Sequence, residues 1–316
     1  MISRRLVRIK AMQTYYSFLQ GNENLPVSKV WNELERSINK SYELYIYLHC
    51  LLIAVFDFAA ERVEINRKKL IPTHENLNPN TKFIDNKIID TFRSNPVINK
   101  YMSNNDYNWQ EYSQFINNLW ILITNSEYYS KFMASDIISV KEDYNIIENI
   151  ILKTISQNDE LDDFLEEKSI YWNDDVEFML SNILQSIKKL NDKNIGQFHL
   201  LPVFKNEDDE NFAKVLIKKT ALNKNKFDDI IINTLQKWEL ERVAFTDRVI
   251  LHLALCEFTE MPNMPVKVTI NEYLEIAKYY STEKSSIFIN GILDKIYVKL
   301  REENNFNKSG LGLVDV

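Results

Sequence analysis

The sequence predicts an all-α protein, and three observations lead there. In 316 residues there are only 5 glycines and 7 prolines, too few for the many turns of a sheet-rich fold. Apolar residues recur at three- and four-residue spacing along most of the chain. Between those stripes stand short runs of Asn, Ser, Thr, Asp and Pro, the residues that start and stop helices. With 45% hydrophobic residues the chain can bury one large core or two smaller ones.

Residues 3–20 read as the first helix, with Leu6, Ile9 or Lys10, Gln13, Tyr16 and Leu19 down one side. Arg4, Arg5 and Arg8 crowd its start, and residues 1–20 hold no acid. The positive end of a helix dipole disfavours a cation by about 0.3–1 kcal/mol. Arg4 and Arg8 lie one turn apart on a shared face, with Arg5 beside them. By residue type alone this is a solvated basic helix start or a cluster of forks suited to phosphate oxygens and base edges.

Residues 22–200 continue the helical pattern. Tyr42, Tyr45, His49, Leu52, Phe56 and Ala60 form one stripe, and Phe115, Leu119, Leu122 and Ile123 another. Ile147, Ile151 and Ile155 follow, then Val176, Met179, Ile183, Leu184 and Ile187. Connectors at 72–81 and 104–108 are rich in Asn and Pro. The aromatics Tyr101, Tyr107, Trp109, Tyr112, Phe115 and Trp120 lack interleaved basic residues, so they read as core or protein-binding surface rather than a stacking platform for single-stranded nucleic acid.

Residues 207–222 and 227–242 read as two more helices, and Thr246 with Asp247 as the cap of a third. In that third helix residues 249–256 are apolar on all sides, the mark of a central helix. His252 interrupts them and reads as a hydrogen-bonded or edge residue, not a ligand. After a link at 261–265, Pro265 opens a helix carrying Val266, Ile270, Leu274, Ala277 and Tyr280. Cap-forming residues at 281–284 end it, and Phe288, Ile292, Leu293, Ile296 and Leu300 begin the second arm of a helical hairpin. Asn290-Gly291 lies inside that stripe. A mid-helix Gly costs about 1 kcal/mol against Ala, so Gly291 reads as a helix-crossing point, with a helix break at 290 as the alternative.

The net charge of −7 and pI of about 5.4 oppose bulk electrostatic binding of nucleic acid, so any RNA site must be local. Residues 141–180 carry three lysines against twelve acids and would repel phosphate. The two cysteines, Cys50 and Cys256, stand far apart in apolar runs and read as buried free thiols. The run 44–60, broken by His49 and Asp57, falls short of the roughly 20 apolar residues that span a bilayer. No secretory signal is recognisable, and a cytoplasmic location is expected. Glycine loops for phosphates, a serine elbow and His or Cys clusters for a metal are missing. Acid pairs such as Asp162 with Glu166 and Asp163 with Glu167 read as a solvated face. No catalytic residue, cofactor or metal site is nominated.

The 266–296 string VKVTINEYLEIAKYYSTEKSSIFINGILDKI resembles the C-terminal signature of the NusB family of transcription antitermination factors. It carries the V-x-x-x-I-N-E block and the F-hydrophobic-N-G-hydrophobic-L-D-K block. Upstream, FTDRVILHLALCEF resembles the family's central buried helix, and SRRLVRIKAMQTYYSF its first, arginine-rich helix. The resemblance implies a NusB-like core of two packed helical bundles from residues 1–21 and 201–302. Residues 22–200 would be a helical insertion, acidic in part, and 303–316 a flexible tail.

Family resemblance further implies a non-catalytic factor that binds single-stranded boxA-type RNA together with the NusE small-subunit ribosomal protein. That complex helps RNA polymerase read through terminators, notably in ribosomal RNA operons. Arg4, Arg5 and Arg8 match the family's basic helix and should contact RNA. Phe288 matches an aromatic that lies against RNA, with a core residue of its stripe as the alternative, and Lys284 and Lys295 are its expected neighbours. Tyr16 and Asp247 match positions at or near the NusE surface. Three departures weaken the match: Ser281 stands where Gly is common, Lys284 where an acid is common, and Leu6 interrupts the arginine run. The alternatives are a helical interaction factor that has lost RNA binding, or a relative of the NusB-like domains fused to RNA methyltransferases.

Overall fold

A computed structural model describes residues 2–21, 25–104, 107–235, 242–302 and 308–313, and among these every α or β element is a helix. In chain order they are α1 (Arg4–Gly21), α2 (Val27–Arg67), α3 (His74–Leu77), α4 (Lys87–Arg93), α5 (Pro96–Met102), α6 (Ser113–Thr124), α7 (Glu127–Ala134) and α8 (Val140–Ile150). There follow α9 (Asp159–Lys168), α10 (Val176–Ile187), α11 (Glu207–Leu222), α12 (Lys224–Leu235), α13 (Phe245–Glu260), α14 (Val266–Tyr280) and α15 (Ser285–Glu302). The chain divides into two compact units, one of residues 39–202 and one of residues 2–38 with 203–316. Sequence places the first join near 21, whereas α2 belongs to the second unit as far as Ile38.

In the 39–202 unit the polar residues between helices act as caps. Side-chain oxygens of Asn86, Asn95, Ser126, Ser139 and Asn158 accept the first free N–H groups of α4, α5, α7, α8 and α9. Of the aromatics expected as core or protein-binding surface, Trp109 and Phe115 are buried while Tyr101, Tyr107, Tyr112 and Trp120 are half-buried; Trp109 stacks on Tyr47 at 4.4 Å, and Phe83 on Phe56 at 4.1 Å. Leu122, expected on a buried stripe, is half exposed, because α6 turns Phe115, Leu119 and Ile123 inward. The acidic pairs of α9 are solvated, as expected. By length and composition α2 could cross a membrane, contrary to the reading of its apolar run as too short, yet 72% of its most apolar window is buried. His49 lies within that run. Its Nδ1–H donates to the Tyr45 carbonyl at 2.8 Å, Nε2 has no partner, and burial pushes its pKa down to about 4.

The second unit is arranged around α13, which packs against α1, α11, α12, α14 and α15. Residues 249–258 of α13 are all buried, as the apolar run predicts. α14 and α15 pair as the expected hairpin. α12 covers part of the 227–242 prediction, and 236–241 fall outside the described residues.

Four expectations are corrected here. α1 buries Val7, Arg8, Met12, Tyr15 and Phe18 as well as Leu6 and Leu19, and its exposed edge is the side of Tyr16, so the predicted stripe is out of register. Asp247 caps nothing at α13; its buried carboxylate accepts hydrogen bonds from Ser281 Oγ at 2.6 Å and Ser285 Oγ at 2.9 Å, pinning the start of α15. α15 runs unbroken through Asn290-Gly291, and a Cβ built on Gly291 would meet open space, so Gly291 is neither a break nor a crossing point. The tail is packed rather than flexible over 308–313. Lys308 Nζ donates to the carbonyls of Glu257 and Met261 at 2.8 and 2.9 Å, and Ser309 N–H to that of Pro262 at 3.0 Å.

Candidate functional site

The arginines at the start of α1 are the natural place to look for a nucleic-acid site, and the fold treats the three differently. Arg8 points inward and is 3% exposed. Its Nε and Nη2 donate to the two oxygens of Glu257 on α13 at 2.7 and 2.9 Å. Glu257 is fully buried and accepts two further bonds at 2.9 Å, from Thr269 Oγ1 and Tyr273 OH of α14. Burial alone would lower the Arg8 pKa, but the charge and hydrogen bonds of Glu257 outweigh it and hold it above the ordinary value. All four acceptor positions of the carboxylate are filled, which is what a buried charge requires. Arg8 therefore cannot reach a phosphate, a correction to the reading of three contact arginines.

Arg4 and Arg5 remain at the surface, 39% and 47% exposed. Each is held by a carboxylate brought from far along the chain. Arg5 Nε and Nη2 donate to both oxygens of Glu272 on α14 at 2.8 and 2.9 Å, and Arg4 Nε donates to Asp209 Oδ1 on α11 at 2.7 Å. The hydrogen bond with Glu272 raises the Arg5 pKa, and the same bond lowers that of Glu272, so both partners stay charged. Phe212 of α11 lies between Arg4 and Arg8, each guanidinium carbon about 5 Å from its ring centre.

One turn beyond Glu272, residues Leu274, Glu275 and Lys278 line an open groove of about 380 Å³, closed on its other side by Ser286, Ile287 and Asn290 of α15. On α15 itself Lys295 is exposed, as is Lys284 just ahead of the helix, and Phe288 is half-buried. The stripe of α15 is centred on Ile289, Ile292, Leu293 and Ile296, which leaves Phe288 at its margin, between its two expected roles.

The two expected partner-surface residues separate. Tyr16 is 38% exposed and packs edge-on against Phe245 at 4.9 Å, whereas Asp247 is buried on Ser281, at the end of α14, and Ser285, the first residue of α15, and presents no carboxylate outward. Behind Tyr16 runs a buried polar chain. Tyr15 O–H donates to His252 Nδ1 at 2.8 Å, and His252 Nε2–H to Asp228 Oδ1 at 3.0 Å. Arg248 grips the same carboxylate with two bonds. Burial works against ionisation of Asp228, but His252 and Arg248 hold its pKa at about 2, while burial lowers that of His252. The histidine is thus a hydrogen-bonding core residue, as its setting suggested.

Cys50 and Cys256 are buried free thiols whose pKa burial pushes up to about 12. Among the described residues, no group of three or more His, Cys, Asp or Glu could hold a metal ion. Sequence reasoning missed the acids that answer the arginines: Asp209, Glu257 and Glu272. Glu257 had a signal, being the one acid within the apolar body of α13, with Thr269 and Tyr273 one turn apart on the helix that faces it. Asp209 stands among four acids of a first turn and had none.

A family model described as the NusB family matches residues 179–298. A transcription antitermination protein NusB of Salinibacter ruber is 35% identical over 114 residues, covering 36% of this chain and 71% of the relative. That of Chloroherpeton thalassium is 40% identical over 107 residues, 34% of this chain and 51% of the relative. That of Bacillus mycoides is 43% identical over 90 residues, 28% of this chain and 69% of the relative. No solved structure matches. The family match begins after α1, which joins the matched region through its packing on α11 and α13.

Proposed function

The chain belongs to the NusB family of transcription antitermination factors, and we propose that it acts without catalysis in the cytoplasm, by binding single-stranded boxA-type RNA together with the NusE ribosomal protein. The observation that supports this most directly is the pair of guanidinium groups, Arg4 and Arg5, held at the surface of the unit that carries most of the family match. Ion pairing fixes the planar forks and leaves N–H groups on each for phosphate oxygens. Lys284 and Lys295 supply further exposed cations, and Phe288 a half-buried ring on which an unstacked base can lie. Arg8 positions α1 rather than touching RNA, and Asp247 positions the start of α15. Tyr16 is the exposed residue of the two assigned to the NusE side. As part of an antitermination complex on RNA polymerase, the protein would hold nascent RNA.

The test is binding of the purified protein to boxA and scrambled RNA, with and without NusE, for the wild type and an R4A/R5A variant. Preference for boxA, strengthened by NusE and lost in the variant, is the expected result. Affinity should fall with salt at a slope of about −0.7 per phosphate contact. No binding even with NusE would overturn the reading. It would favour a protein-interaction factor, a second reading that draws on the pairing of all three arginines with acids.

A further inference from the structure

We infer that Glu272 and Asp209 cover the charge of Arg5 and Arg4, so that RNA phosphates must compete with two carboxylates of the protein, which thereby set its affinity for single-stranded RNA. This rests on the RNA-binding reading above and concerns the regulation of the same site.

Three features of the geometry lead to it. Both carboxylates are less exposed than the arginines they hold, 21% for Glu272 and 15% for Asp209, so each acid is seated in the fold while the cation lies outward. Neither pair is a local helical pair: the partners lie 205 and 267 residues apart in sequence, and tertiary packing of α1 on its neighbours brings them together. Glu272 engages both its oxygens with Arg5, a bidentate fit of the kind a phosphate would otherwise make. Arg8 differs, because its pair with Glu257 is buried and no ligand can reach it.

The consequence is electrostatic. An arginine already paired with an acid neutralises a phosphate less fully, so fewer of the ions condensed on the RNA are released when its remaining N–H groups meet a phosphate beside that carboxylate. Removing the acid charge while keeping its shape exposes a full cation. An exposed pair is worth at most about a fivefold change in equilibrium, so Glu272→Gln should tighten RNA binding about two- to fivefold. Each uncovered arginine that gains a phosphate should also steepen the salt dependence by about 0.7 in log–log slope. Because phosphate contacts carry no sequence information, the gain should be the same on boxA and scrambled RNA.

The experiment is fluorescence anisotropy with both RNAs across a salt series, for wild type, E272Q, D209N, R5Q and R5Q/E272Q, with melting curves to show that each folds. D209N uncovers Arg4 independently of Glu272, so the test survives if one variant fails to fold. Tighter binding and a steeper slope in E272Q and D209N are expected, with the E272Q gain abolished in the R5Q background. A gain that persists without Arg5 would show a general charge effect and overturn the inference. So would unchanged affinity and slope in both acid variants beside a wild type that binds. If no form of the protein binds RNA, the RNA-binding reading itself falls, and this inference with it.

Discussion

Replacing Glu257 by Gln strips the charge from the carboxylate that anchors α1 to α13 and α14 while leaving its volume unchanged. Four donors converge on that carboxylate, at 2.7 to 2.9 Å, from Arg8, Thr269 and Tyr273. A glutamine offers one acceptor oxygen and turns an NH₂ toward donors that have no acceptor to meet. It also leaves the Arg8 guanidinium, 3% exposed, with only the longer ion pair from Nη1 to Glu272 at 3.8 Å. Breaking a buried pair from one side costs about 3–5 kcal/mol. For a unit of roughly 150 residues that corresponds to a fall of about 6–20 °C in Tm. Arg8→Met should cost a similar amount through the stranded Glu257. The double variant R8M/E257L should recover part of the loss, because apolar residues of matching volume are often neutral at such sites, while the buried Tyr273 hydroxyl loses its acceptor. Thermal and urea unfolding followed by circular dichroism on wild type, R8M, E257L and R8M/E257L gives the coupling energy, with E257Q as the isosteric single variant. Single variants that each cost below about 1 kcal/mol, with additive effects in the double, would refute the buried-pair argument.

Other sites give independent predictions. His49 has a folded pKa of about 4, below its ordinary value near 6.5, so its contribution is fully present above pH 6.5 and is lost as pH falls through 4. The loss is on the order of 3 kcal/mol, and urea midpoints at pH 7 and pH 4 should differ less in His49→Phe than in wild type. Gly291→Ala should stabilise the protein by about 0.4–1 kcal/mol, since the position is helical and the new methyl group meets nothing within 4 Å; a lower Tm would show that the space is not open. Gly312→Ala should act in the opposite sense, because a Cβ there would lie 1.9 Å from the Pro262 carbonyl oxygen. The expected cost is about 1–3 kcal/mol, with the 308–313 segment becoming sensitive to limited proteolysis.

Much of the helix layout was legible in the chain. The residues predicted as helix at 207–222 are α11, and the all-round apolar run at 249–256 lies in α13, against which five other helices of its unit pack. Periodicity works there because a stripe of Leu, Ile and Val has only one inexpensive place to go. α1 was read out of register for the opposite reason. Almost every side of it is buried, and a stripe drawn through Gln13 and Tyr16 is no better supported by hydropathy than the true one through Met12 and Tyr15. Gly291 misled because residue type reports what a backbone can do, not what lies beside it.

The sequence by itself determined the helices, the buried thiols and the family, since those depend on local propensity, apolar spacing and short motifs. It also marked three arginines without separating them. Only the tertiary structure decided that Arg8 is buried on Glu257 while Arg4 and Arg5 stay at the surface, each facing an acid more than 200 residues away. A cation's role depends on the charge it meets and the water it keeps, and both are set by packing between distant segments.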